Sequence, residues 1–423
     1  MLLKNARVIN PADNFDGFAD IRIENGIIIE INTPRTSPQG ERELEVIDLS
    51  GKIITAGLVD MHCHLREPGF EAKETIKTGI DAAIAGGYTC ICPMANTNPA
   101  VDNSAILTYT IKQAADRIGF YPICAVTKGL RGEKLVNVSE LIDLGAIAFS
   151  DDGRPIENMK LLKEALKYIN SHNKIIISHS EDLSLAEGGC INEGKISARF
   201  GLKGIPSDAE SSAIARELEI VRSVNGRYHF AHVSSKRSVE LIRQAKKDRL
   251  NVTAETAPHY FSLTEDDIIP YDARFKVNPP LKTKEDLEAV IDGLCDGTID
   301  VIASDHAPHT LSEKLSPVQT APMGIAGFET VLGLTLSKLV HTGRLSLMEA
   351  LKKLNYNPAK ILGIDSQGEI KKGAAANLTV IDLDKEWSVN ASEFKSKCRI
   401  SPFDGMKLKG KAVMTIINGK IIQ

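Results

Sequence analysis

Apolar positions fall into different regimes along the chain. Residues 1–55 carry short alternating stretches, RVIN, DIRIENGIIIEI and ELEVIDLSGKII, rich in Val and Ile and broken by Gly, Asn and Asp. That is the pattern of short strands. The C-terminal end repeats it in AANLTVIDLD and AVMTIINGKII, with a hairpin signal at Asn418-Gly419. The middle reads differently. Eight apolar runs of strand length are each followed by polar residues: IITAGLVDMHCH, YTCICPMAN, YPICAVT, AIAFSDDG, KIIISHSED, YHFAHVSS, NVTAETAPHY and VIASDHAPH. Helical spacing lies between most of them. ETIKTGIDAAIAGG places Ile76, Ile80 and Ile84 on one face before Gly86-Gly87 as a stop. NMKLLKEALKYINSHN aligns Leu162, Leu166 and Ile169, and TKEDLEAVIDGLCDG opens with Thr283 and Asp286 in capping-box positions.

Alternating strand and helix predicts a parallel sheet, and eight repeats predict an α/β fold closed as a (β/α)₈ barrel. An open doubly wound sheet is the alternative, but no G-x-G-x-x-G turn follows the first strand. Because termini often lie close together, residues 1–55 plus 366–423 are expected to form one small β-sandwich domain. The barrel, residues 56–365, is inserted between them.

Composition narrows the function. Lys and Arg number 51 against 55 Asp and Glu, a net charge of −4, which gives no electrostatic case for a nucleic-acid partner or an anionic membrane surface. No run approaches the ~18 apolar residues of a membrane span, and MLLKNARVIN is not expected to act as a secretory signal. The seven Cys are scattered, which suits a reducing, cytoplasmic compartment rather than a disulfide framework.

The candidate chemistry collects at strand ends. His62 and His64, Asp151 or Asp152, His179, His232 and Asp305 all follow apolar runs, and in a barrel the C-terminal strand ends converge on one mouth. Each has an ordinary reading alone, as a hydrogen-bonded core His or a turn Asp. Their joint placement is what those readings do not explain. Imidazole and carboxylate are the ligands of catalytic Zn²⁺, and this many suit two metals about 3.5–4 Å apart. Mn²⁺, Co²⁺ or Fe²⁺ also fit such a site, with Zn²⁺ favoured by the His content. Nothing within SDDG itself chooses between Asp151 and Asp152.

DMHCHLREPG, CPMANTNP, FSDDG, the two isolated His, NPPL and ASDHAPH together resemble the dihydroorotases of the amidohydrolase superfamily, over nearly the whole chain. The resemblance is to the long-chain bacterial class, with Asp where many amidohydrolases carry a carboxylated Lys. It implies two zinc ions, one held by His62, His64 and a bridging Asp152, the other by Asp152, His179 and His232. Asp305 is implied beside the first zinc as the catalytic, proton-handling carboxylate. Arg66, Asn96 and His309, with His64, are implied to hold a substrate carboxylate. Asn278 and the backbone at Met323-Gly324 are implied to address a ring amide. The sequence has Met94-Ala95 before Asn96 where the family often shows MPNT. His306 reads as a supporting residue and His259 as a loop residue near the mouth.

The implied reaction is reversible hydrolysis of (S)-dihydroorotate to N-carbamoyl-L-aspartate, a step of pyrimidine synthesis. Dihydropyrimidinase, hydantoinase and allantoinase are the neighbouring activities, and a catalytically silent scaffold for aspartate transcarbamoylase is the alternative of another class. A homodimer and an association with that transcarbamoylase are the implied partners. The segment Thr310 to Pro322, joining His309 to Met323-Gly324, is expected to close over the mouth as a lid.

Overall fold

The computed structural model describes residues 1–32 and 45–422, so the first two residues of the ELEVIDLSGKII strand lie outside the described residues. The N-terminal segment supplies β1 (Leu2–Asn10), β2 (Phe15–Glu24), β3 (Ile27–Asn32), β4 (Val46–Asp48) and β5 (Ile53–Ala56). The run IITAGLVDMHCH then divides: β5 pairs with β1, and after Gly57 the chain starts the barrel as β6 (Leu58–Cys63).

The barrel continues through β7 (Tyr88–Pro93), β8 (Gly119–Phe120), β9 (Ile123–Cys124), β10 (Ala148–Phe149) and β11 (Ile176–Ser178). A side pair, β12 (Ile191–Asn192) and β13 (Gly204–Ile205), precedes β14 (Tyr228–Phe230), β15 (Val252–Thr256) and β16 (Val301–Ile302). β6, β7 and β8 are hydrogen-bonded neighbours, as are β9, β10, β11, β14, β15 and β16 in that order. β8 and β9 are two pieces of one stave, GFYPICAVT, which starts two residues before the run YPICAVT. Pro122 lacks an N–H and interrupts the ladder between them, while Tyr121 N–H still donates to Ile91 O at 3.1 Å. The ring closes where His64 N–H donates to His306 O at 2.8 Å, beside a parallel bridge between Cys63 and His306. β6 and β7 are buried along their whole length, as parallel strands covered on both faces must be.

The predicted helices form where the spacing placed them. Ile76–Ala85 is capped by Thr75, Met159–Ser171 buries Leu162, Ala165, Leu166 and Ile169, and Lys284–Asp296 carries the Thr283/Asp286 capping box and ends at Gly297. The chain returns as β17 (Leu378–Ser388), β18 (Lys407–Ile417) and β19 (Lys420–Ile421), with the Asn418-Gly419 turn at positive φ. The terminal sheet runs β19-β18-β17-β5-β1-β2-β3, with β4 on β1. Leu3, Ile21 and Ile23 from one half share a core with Leu378, Val380 and Ile416 from the other. The sheet therefore folds over on itself and packs as a sandwich. Among the described residues, no helix is long and apolar enough to cross a membrane.

The segment expected to close over the mouth is pinned at its middle. Thr310 caps a short helix, Leu311–Lys314, and the buried Lys314 Nζ donates to Ala273 O, Lys276 O and Pro322 O at 2.9–3.0 Å. Leu311 and Leu315 stay exposed.

Candidate active site

Strand ends aim the site. His62 lies within β6 and His64 just beyond it, while Asp152, His179, His232 and Asp305 follow β10, β11, β14 and β16. His232 and Asp305 adopt left-handed backbone, φ 34° and 43°. Such non-glycine positions cost of order 1–3 kcal/mol each and cluster at functional sites.

All six side chains are buried and meet at the mouth. Asp152 Oδ1 is 3.5 Å from His62 Nε2, 3.7 Å from His179 Nδ1 and 3.7 Å from His232 Nε2, and its Oδ2 is 3.6 Å from His64 Nε2. Asp305 Oδ1 is 3.3 Å from His64 Nε2 and 3.6 Å from His62 Nε2. His62, His64 and Asp305 present ligand atoms within 4.8 Å of one another, as do His62, Asp152 and His232. His62 Nε2 and Asp152 Oδ1 are buried without a hydrogen-bond partner. Unsatisfied buried lone pairs are costly, and these face each other in a set of donors suited to a divalent metal. Burial would raise the Asp152 carboxyl, but the imidazoles of His232, His62, His64 and His179 around it hold it well below the usual range. Asp305 behaves likewise: burial is outweighed by the His64 hydrogen bond and the nearby imidazoles.

Asp151 turns away. It accepts from Val126 N–H at 2.8 Å, Thr127 N–H at 3.0 Å and the Thr127 hydroxyl. Burial nevertheless pushes it up to about 6.

The outer faces of the imidazoles are held too. His62 Nδ1 donates to Glu255 Oε1 at 2.5 Å, and Glu255 Oε2 lies 3.2 Å from His229 Nε2. His64 Nδ1 donates to Asn96 Oδ1 at 2.8 Å, and Asn96 Nδ2 donates to Asp152 Oδ2 at 3.2 Å. His179 Nε2 meets Glu181 Oε2 at 3.1 Å. Partners of this kind fix the tautomer and aim the other nitrogen. The sequence reading missed Glu255 and Glu181. The available signals were an acidic residue inside the apolar run NVTAETAPHY and an H-x-E spacing after β11.

Arg66 reaches the mouth by a route the strand pattern did not give. β6 ends at Cys63, and Arg66 has φ 64°, which turns it toward the last stave. Its Nε donates to Pro308 O at 3.2 Å, and Nη2 is 3.3 Å from His309 Nε2. His309 Nε2 donates to Met323 O at 2.8 Å, while Lys73 Nζ is 3.3 Å from Nδ1. Burial and the flanking cations keep His309 neutral. Gly324, at φ 140°, sits where a Cβ would lie 2.5 Å from Ala307 O. Asn278 Nδ2 donates to Glu181 Oε2 at 3.1 Å. His306 stacks on Phe328 with centroids 4.2 Å apart, in keeping with a supporting role. His259 is buried, its Nε2 3.9 Å from Asp305 Oδ2, and burial pushes it down to about 4.

Comparison with known proteins agrees with this geometry. Residues 51–238 match the family model described as Dihydro-orotase-like, and residues 208–423 match the Amidohydrolase family model. A dihydroorotase of Acetivibrio thermocellus is 46% identical over 424 residues, covering 100% of this chain and 98% of the relative. One from Syntrophus aciditrophicus is 47% identical, covering 100% and 99%. Among solved structures, an L-hydantoinase (dihydropyrimidinase) from Arthrobacter aurescens superposes with a TM-score of 0.88 at 28% identity, covering 100% of this chain and 95% of that one. A dihydropyrimidinase from Brevibacillus agri, at 22% identity and a TM-score of 0.85 over 100% and 94% of the two chains, shares the fold. The chain belongs to the dihydroorotase family of amidohydrolases.

Proposed function

We propose that this chain is a dihydroorotase, interconverting (S)-dihydroorotate plus water with N-carbamoyl-L-aspartate. The observation that carries the substrate reading is Arg66, placed beside His309 at the rim of the His/Asp cluster. A planar guanidinium matches a carboxylate, and the carboxylate is what distinguishes dihydroorotate from dihydrouracil. Burial lowers Arg66 to about 10, so it remains cationic at neutral pH.

We assign the metal as Zn²⁺, two per subunit. His62, His64 and Asp152 would hold one ion, and Asp152, His179 and His232 the other. A divalent metal there supplies an activated water at neutral pH and polarises a carbonyl. Asp305, kept as a carboxylate by its neighbours, takes the proton of the attacking water and gives it to the departing ring nitrogen. In ring closure the proton runs the other way: Asp305 takes it from the attacking carbamoyl nitrogen and gives it to the departing hydroxyl, which leaves as water. Arg66, Asn96 and His309 orient the substrate carboxylate, and Asn278 with the Met323-Gly324 backbone orients the ring amide.

The reading carries further proposals. Residues 1–55 plus 366–423 and residues 56–365 are taken as the two domains, in a cytoplasmic enzyme. A homodimer and docking on aspartate transcarbamoylase are checked by sedimentation, alone and with the transcarbamoylase. A second reading, a dihydropyrimidinase-like cyclic amidase, is favoured by the full-length similarity to the Arthrobacter hydantoinase. Metal analysis, with parallel assays on dihydroorotate, dihydrouracil and allantoin, separates the two. Preference for dihydroorotate supports the first reading, and preference for either other ring overturns it.

A further inference from the structure

Glu181 stands between a metal-site imidazole and an amide. Its Oε2 lies 3.1 Å from His179 Nε2 and 3.1 Å from Asn278 Nδ2. Glu181 is itself buried, and the same oxygen faces both groups. A carboxylate accepts only, so both facing atoms must be donors. His179 therefore carries its proton on Nε2, and its Nδ1 lone pair is left toward the cluster, 2.8 Å from His232 Nε2 and 3.7 Å from Asp152 Oδ1. Asn278 must turn its NH₂ toward Glu181. Its Oδ1 then lies on the other side of the amide, where it is buried without a hydrogen-bond partner.

A buried carbonyl oxygen held in that way is a site for a donor. A cyclic amide carries ring N–H groups, and an N–H fits this oxygen where a ring carbonyl would be repelled. We infer that Glu181 is a positioning residue that locks the Asn278 amide with its oxygen toward a substrate N–H, and that ties this recognition to the metal-site residue His179. The inference rests on the cyclic-amide reading above and deepens it. Without Glu181, the amide is free to turn over and offer NH₂ instead.

The test is a set of three variants assayed with dihydroorotate at saturating zinc: Glu181→Gln, Asn278→Asp and the double variant. Asn278→Asp removes the donor and sets two carboxylates against each other. The double variant restores a donor–acceptor pair with the roles exchanged, an amide at position 181 facing a carboxylate at position 278, and keeps the net charge of the wild type. Glu181→Gln is expected to raise KM about tenfold with kcat little changed, and Asn278→Asp to cost more. The double variant is expected to recover KM to within about threefold of wild type. A double variant no better than Asn278→Asp, or an unchanged KM in Glu181→Gln, overturns the locking. Chelator competition reads the other arm without turnover: Glu181→Gln is expected to weaken metal retention about 10–100-fold. Unchanged retention overturns the tie to His179. A wild type that turns over dihydrouracil but not dihydroorotate sinks the substrate assignment alone, and the same variants are then compared on dihydrouracil.

Discussion

Asp151 and Asp152 share a peptide bond and face opposite environments. Asp152 has imidazole nitrogens of His62, His64, His179 and His232 at 3.5–3.7 Å, whereas Asp151 holds the backbone at Val126 and Thr127. Asp152→Ala should lose metal and turnover together. Asp151→Ala should keep its metal and lose stability by ~1–3 kcal/mol, from donors left unpaired. Elemental analysis with urea unfolding checks the ranking, and metal loss confined to Asp151→Ala would reverse the assignment. Asp305 makes a different claim. Its role is proton transfer, which typically contributes ~10²–10⁴-fold. Asp305→Asn should therefore lose at least about a hundredfold in kcat while most metal stays bound, and a variant with more than about a tenth of wild-type rate would count against the role. Arg66→Met should lose about one to two decades of kcat/KM on dihydroorotate, the worth of a hydrogen bond to a charged group. Dihydrouracil turnover and metal content should stay nearly as they were. Equal losses on both substrates would remove Arg66 from carboxylate recognition.

At the scale of elements, what could be read in advance was what repeats. Apolar runs of strand length placed the eight staves, and period-3.6 spacing placed the helices, because burial imposes both patterns directly. Strand ends therefore located His62, His64, His179, His232 and Asp305. What could not be read were contacts between elements distant in sequence: Glu255 beneath His62, Glu181 under Asn278, Lys314 bonded to carbonyls of another loop. Arg66, implied at the mouth by resemblance, arrives there by a left-handed turn that no periodicity marks. The C-terminal segment shows the same limit. Glu329 Oε1 accepts from Lys395 N–H at 2.8 Å and Ser396 N–H at 3.2 Å, and Glu74 accepts from the Ser396 hydroxyl and Lys397 N–H. Burial pushes Glu329 from its ordinary 4.5 up to about 7, against the pull of those two amides. A carboxyl raised by folding gives its full contribution below the unfolded pKa and loses it as pH rises toward the folded one. Wild-type stability should thus fall relative to Glu329→Gln between about pH 4.5 and 7, with a constant gap above. Urea midpoints across that range test this, and parallel pH profiles for the two proteins would contradict it.

On its N-terminal side the sheet passes into the barrel through one residue. β5 belongs to the terminal sheet, paired with both β1 and β17, and β6 begins the barrel two residues later. Gly57 alone lies between them. A Cβ there would sit 1.9 Å from Thr89 Oγ1 and 2.6 Å from Thr89 Cβ, so rotating the Thr89 side chain cannot clear it. Thr89 is itself buried in β7 and donates to Gln367 Oε1 at 3.1 Å, on the segment leading into β17. From the other side, the Thr379 hydroxyl of β17 donates to Gly87 O at 2.6 Å. Sheet and barrel therefore share a seam of hydrogen bonds around a glycine whose lack of a side chain permits the approach. Gly57→Ala should destabilise by ~1–3 kcal/mol, the usual cost of overpacking a dense core, and should do so for both parts at once. The single tryptophan makes this measurable. Trp387 lies on β17, so its emission reports the sheet, while enzymatic activity reports the barrel mouth. In a denaturant titration the two signals should fall together in wild type, and together at a lower midpoint in Gly57→Ala, since coincident probes are the mark of one cooperative transition. Separate midpoints, with tryptophan emission changing while activity persists, would mean that the sheet unfolds by itself and that the seam at Gly57 does not bind the two parts into one unit.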